Sequence, residues 1–179
     1  MAGMKPTLGI PLLLAVLCLP PWACRAGGDL DFSCVAKRVD QKTTKSGTSE
    51  DALTIDTEDW QYVVTLANTS FKDLANLEVR YIMFSKRQEI GTVAGTRVEK
   101  QAGSVKIDNI KGHDKVQFET ITMKLQKATL AAGRYYANGG RTSGEASMSG
   151  LWIRIYQNGN LIAEMSRPPE LATKEKWPE

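Results

Sequence analysis

From residue 29 onward, apolar side chains recur at every second position in short runs separated by glycine and polar turns, and no segment holds helical spacing over a long stretch. The clearest case is Gly150 to Ser166, where two alternating runs flank Asn158-Gly159 and predict a β-hairpin. Pairing Ile155 with Leu161, Ile153 with Ala163 and Leu151 with Met165 gathers all six apolar side chains on one face. That register requires a three-residue loop, Gln157-Asn158-Gly159, with Gly159 in the left-handed position of a type I turn plus bulge. A two-residue loop would set Glu164 opposite Ile153, placing a carboxylate on the apolar face.

Upstream, Asp29 to Val39 alternates weakly and suits an edge strand, whereas residues 40–51 are polar, offer no core positions and read as an exposed loop. Trp60, Tyr62, Val64 and Leu66 share a strand face opposite Gln61, Val63 and Thr65, and Asn68-Thr69-Ser70 supplies turn chemistry. Leu77, Val79, Tyr81 and Met83 alternate with a second row containing Ile82 and Phe84, so this strand belongs in mid-sheet. Gly91 to Gly103 reads as two short β-prone pieces about Gly95, and Val105 with Ile107 opens a strand that ends at Lys111-Gly112-His113-Asp114.

Val116 and Phe118 face one way, but Ile121, Met123 and Leu125 have the opposite parity, which implies a bulge or change of sheet near Glu119-Thr120. Residues 126–149 are rich in glycine and small side chains and read as a flexible loop or protruding hairpin. Beyond Ser166 the chain breaks at Pro168-Pro169, and one helical turn from Glu170 to Lys176 would leave Trp177 to cover an open end of the core. About seven short strands without a long helix argue for an all-β fold: an antiparallel β-sandwich of immunoglobulin-like or fibronectin-type form, with no intradomain disulfide. A closed barrel is the alternative, since periodicity does not distinguish the two.

Residues 1–26 change the picture of compartment. Lys5 precedes an apolar run from Leu8 to Leu19, and Cys24-Arg25-Ala26 forms a small-x-small cleavage site before Gly27, the pattern of a secretory signal. That run is about 12 residues, short of the roughly 20 a spanning helix needs, and Gly9, Pro11 and Pro20-Pro21 interrupt or end it. The expected organisation is a signal peptide at 1–26, a β-sandwich domain at 27–167 and a tail at 168–179, with no transmembrane segment after cleavage. The expected location is the periplasm, outer-membrane surface or exterior. Lipidation at Cys24 is the alternative fate, although Pro21-Trp22-Ala23 fits the expected lipobox poorly.

The chain has 23 Lys plus Arg against 20 Asp plus Glu, a net +3. With Lys5 and Arg25 removed the balance is 21 against 20, or +1, which gives no global attraction for nucleic acid or an anionic bilayer. Processing would leave Cys34 as the one cysteine, so the apolar core must hold the fold; beside Phe32 and Val35 the thiol reads as a small buried hydrophobe.

Catalysis has little to draw on. His113 is the single histidine and sits in a polar turn, and no nucleophile elbow, zinc motif or phosphate loop occurs. Asp56, Glu58 and Asp59 cluster, but their spacing fits no calcium loop. No catalytic residue, metal or cofactor is therefore expected, and although two carboxylates suffice for a glycosidase, no pair stands out. Binding is better served. Trp152, Arg154 and Tyr156 line the hairpin face opposite the apolar six, where aromatic rings can stack on sugars or a protein, or else form a second covered layer. Tyr135, Tyr136 and Arg141 offer aromatic and cationic groups on a loop.

The hairpin from Gly150 to Glu164, continued by Ser166-Arg167-Pro168-Pro169-Glu170-Leu171 and by Lys176-Trp177, resembles the C-terminus of small exported proteins of verrucomicrobial bacteria. Tyr62 to Ser70 and Leu77 to Phe84 are similar too, and together these cover less than half the mature chain with motifs that mark strands and a turn. One branch of that group is immunoglobulin-like and encoded with type-IV-pilus-like components in a mucin-dwelling gut bacterium. The resemblance implies an envelope role in pilus assembly or surface contact. The prepilin signal itself, a Gly before a Phe-rich helix with Glu at its fifth position, does not occur.

The expected function is a non-catalytic exported envelope or surface module that binds protein or assembles with pilus-like components. A carbohydrate-binding sandwich is the alternative. The two differ at Trp152 and Tyr156: a glycan module leaves the rings exposed and coplanar, whereas an assembly module buries them or presents an open strand edge.

Overall fold

Period-two alternation becomes eight antiparallel strands in a computed structural model that describes residues 28–46, 53–93 and 95–178. The elements are β1 (Leu30–Ser46), β2 (Leu53–Asn68), β3 (Leu74–Arg87), β4 (Arg97–Ile110), β5 (Lys115–Glu119), β6 (Met123–Leu130), β7 (Ser143–Gln157), β8 (Asn160–Arg167) and the single helical turn α1 (Leu171–Lys174). β2 pairs with β1 on one side and with β5 and β6 in succession on the other, while β3 lies between β4 and β7, and β8 closes against β7. Because β5 and β6 share one partner and are separated only by residues 120–122, they act as one interrupted strand. That leaves seven strand positions, in an order compatible with an immunoglobulin-like arrangement.

The layer β1-β2-β5/β6 packs on the layer β4-β3-β7-β8. Phe32, Tyr62, Val64, Leu66, Met123 and Leu125 from the first meet Leu77, Val79, Tyr81, Met83, Leu151, Ile153 and Ile155 from the second in one apolar core. Only the first residues of β7, Ser143–Glu145, pair with β6 and link the layers, and from Ala146 the strand runs along β3 with a bulge at Ser149. The path ends at β1 and β4, which do not pair with each other, so the sheet stays open and the barrel alternative is set aside. Cys34 forms no disulfide.

The parity switch near Thr120 has a physical cause. The Tyr62 N–H donates to Thr120 Oγ1 at 2.8 Å, and the Ile121 N–H donates to the Tyr81 hydroxyl of the opposite layer at 2.9 Å. These bonds satisfy backbone groups that the strand break would otherwise leave bare. Ile121 itself points outward, not into the core as its parity suggests.

Other expectations are corrected. Residues 40–46 are not loop but the exposed end of β1, paired with Leu53–Asp59 of β2 beyond a bulge at Val39; backbone hydrogen bonds sustain this ribbon where no core exists to reward it. The irregular region shrinks from 126–149 to residues 131–142, and the two β-prone pieces about Gly95 reduce to one strand beginning at Arg97.

The hairpin register also differs. Asn158 and Gly159, both at positive φ (51° and 82°), form a two-residue loop of type I′ character whose twist suits the flanking strands. Tyr156 then pairs with Leu161, and a bulge at Ile162 shifts the remainder so that Ile155 faces Ala163 and Ile153 faces Met165. The bulge keeps Glu164 off the core face, at the expense of Leu161, which is 43% exposed. Residues 1–26, with the expected signal, lie outside the described residues.

Candidate functional site

The outer face of β4-β3-β7-β8 brings aromatic and charged side chains into contact with one another. Pairing aligns them in rows across the strands. Lys106, Glu78, Tyr156 and Leu161 form the first, Ser104, Arg80, Arg154 and Glu164 the second, and Ala102, Ile82, Trp152 and Ser166 the third. The middle of the third row and Phe84 beyond it are apolar and closed: Ile82, Phe84 and Trp152 are buried beneath Leu171, Ala172 and Trp177. Gly150 permits this, since a Cβ there would lie 2.8 Å from the Arg167 carbonyl oxygen and 2.9 Å from the Leu171 side chain. Lys100 Nζ fastens the tail through Glu175 at 2.7 Å.

Trp152 was expected to be a candidate ligand contact. It is instead 3% exposed, with its indole N–H donating to Glu164 Oε1 at 3.0 Å, so its face is unavailable for stacking. The outcome is the covered second layer. Arg154 binds the same Glu164 oxygen at 2.8 Å and lays its guanidinium over the Trp177 ring, 4.5 Å from the centroid. Tyr156 stays half-buried, with Arg80 stacked on it at 4.5 Å.

Arg80, which the sequence did not single out, is bidentate to Glu78, at 2.8 and 3.1 Å. Those hydrogen bonds hold the Glu78 carboxyl below its ordinary range. The first two rows therefore stay open as a polar surface of two arginines, each with its own carboxylate, beside one tyrosine. A shallow groove of about 350 Å³ runs along this surface between Trp177-Pro178 and Glu78, Arg80, Ala102 and Ser104. The signal for Arg80 and Glu78 was present as the polar parity of β3, but only the β3–β7 register sets Arg80 directly opposite Arg154.

The loop candidates lie apart from this face. Tyr135 projects into solvent at 82% exposure, whereas Tyr136 packs its ring over Gly91, where a Cβ would sit 3.4 Å from it. Arg141 exchanges backbone hydrogen bonds with Gly91 and Thr92 and reaches the Gly95 carbonyl at 3.4 Å. Tyr136 and Arg141 thus anchor their loop, and Tyr135 alone is displayed.

The acidic cluster is dispersed by strand pairing. Asp56 accepts from the Thr43 hydroxyl, while Glu58 accepts from the Trp60 indole N–H at 2.7 Å and from Arg38 at 2.9 Å, which lowers its carboxyl's pKa. No cluster of metal-ligating side chains forms among the described residues. Burial raises the Cys34 thiol pKa, and Arg167 offsets this in part. His113 lies exposed in its turn, edge-on to Phe71 at 4.2 Å.

No known protein family matches the chain. No curated protein matches it either. Solved structures similar to it include the X-ray structure of Northeast Structural Genomics Consortium target SoR45, at 9% identity and a TM-score of 0.27 over 71% of this chain and 86% of that one. A crystal structure from Akkermansia muciniphila is also similar, at 8% identity and a TM-score of 0.25 over 76% of this chain and 71% of the other. That organism is a verrucomicrobium, but likenesses this distant assign neither fold nor function.

Proposed function

We propose that this chain is an exported, non-catalytic module of the cell envelope or surface that binds a protein partner through the open rows of the outer face, with Arg80, Arg154 and Tyr156 at its centre. One observation carries the reading: Trp152 is covered by Trp177, which removes the flat aromatic platform a glycan-binding sandwich needs. What remains is two arginines and a tyrosine, side chains enriched at protein contacts, with Glu78 and Glu164 holding the arginines in place. Export rests on the sequence of residues 1–26, and a role beside pilus-like components rests on the sequence resemblance alone.

The test is crosslinked co-purification from the native envelope with the wild-type chain and an Arg80→Glu/Tyr156→Ala variant. A protein captured by the wild type and lost in the variant supports the reading. Equal capture by both, or saturable binding of a polysaccharide that the variant abolishes, overturns it and favours the carbohydrate alternative. Intact mass of the purified chain tests export: a start at Gly27 without lipid is expected, and a diacylated species beginning at Cys24 contradicts it.

A further inference from the structure

Three of the four open strand edges are interrupted by a bulge, a break or prolines, and the fourth runs uninterrupted, guarded only by charged side chains such as Lys100, Lys106 and Asp108. β1 bulges at Val39, where the register with β2 shifts. The β5/β6 edge is broken at residues 120–122 and partly covered by β7. β8 is short, bulges at Ile162 and ends in Pro168-Pro169. Such interruptions are the usual protection of an exposed edge. β4 is different: its 14 residues hold one register with β3 from Arg97 to Ile110 and contain neither proline nor bulge.

We infer that β4 is a self-association edge, at which two copies of this chain pair antiparallel about a two-fold axis through Ser104 and join their sheets into one. Charge selects this register among those that keep both core faces on the same side. Centred on Ser104, Lys100 of each copy meets Asp108 of the other, and no like charges oppose each other between Val98 and Ile110. Centred on Gly103, Lys100 meets Lys106 twice; centred on Ala102, no opposite charges pair. Asp108 is exposed and has no ion pair among the described residues, so it is available to a second copy. Lys100 already holds Glu175 at 2.7 Å, and a partner carboxylate would add to a cation whose position is set. The contact is isologous and closes at two copies.

Sedimentation velocity on the full processed chain tests this with two charge reversals, Asp108→Lys and Lys100→Glu. Each alone sets like charges opposite one another twice and should weaken self-association by about tenfold or more. An equimolar mixture restores both opposite-charge pairs in a heterodimer and should recover wild-type association. Circular dichroism checks that each variant is folded, and Ser104→Cys under mild oxidation should give a dimer whose disulfide maps to position 104 of both copies. A wild-type chain that stays monomeric at millimolar concentration, a dimer indifferent to both reversals, or a mixture that fails to recover overturns the inference.

Discussion

The indole of Trp177 stands edge-on to that of Trp152, with ring centroids 5.2 Å apart and planes at 88°. The last aromatic residue of the chain thereby closes the outer apolar patch that Ile82 and Phe84 begin. Edge-to-face geometry sets the positive rim of one ring against the negative face of the other, and Arg154 over the Trp177 ring adds a cation–π contact.

Trp177→Ala should therefore lower stability by about 1 to 3 kcal/mol, through lost apolar burial and the lost ring pair. It should also increase acrylamide quenching of the remaining tryptophans, because Trp152 becomes accessible. Denaturation and quenching on one sample check both effects. An unchanged quenching constant would mean that Trp177 does not cover Trp152.

Burial pushes the Tyr62 phenol up to about 12, with the nearby Cys34 contributing in the same direction. In the unfolded chain the group titrates near 10, so the unfolded state releases its proton first as pH rises. The stabilisation is complete below about pH 10 and lost as pH approaches 12. Tyr62→Phe should lose less stability than wild type across that window, and thermal midpoints of both proteins at stepped pH read the difference.

The hairpin register separates Ile153 from Leu161. Ile153 is fully buried, so Ile153→Ala should cost about 2 to 5 kcal/mol through lost burial and a residual cavity. Leu161 lies outside the core beside the turn, and Leu161→Ala should change stability by less than about 0.5 kcal/mol. Comparable losses in urea denaturation would instead restore the three-residue-loop register, in which Leu161 belongs to the core.

Much of this architecture was legible in local pattern. Tyr62, Val64 and Leu66 lie where their alternation placed them, β3 is apolar on both faces as Ile82 and Phe84 required, and the chain breaks near Thr120 where parity switched. The hairpin bulge was not legible, because a type I′ loop and a type I loop with a bulge suit the same Asn-Gly pair. Only the demand that Glu164 leave the core face while Ala163 and Met165 enter it moved the extra residue to Ile162.

Period-two alternation and turn residues alone determined that this chain is a set of short antiparallel strands, because side-chain direction in a strand follows from covalent geometry, whereas only the strand order left the set open. Whether an aromatic side chain on the outer face meets solvent is not a local property. Trp152 and Tyr156 share that face four residues apart, yet one is buried and the other half-exposed, since the C-terminal segment packs on Trp152 and meets the next row through Arg154, whose guanidinium lies over Trp177. The same distinction applies to the edges: the residues of β4 describe a strand, but its free side exists only because β3 and β7 fill the middle of the layer and leave β4 last.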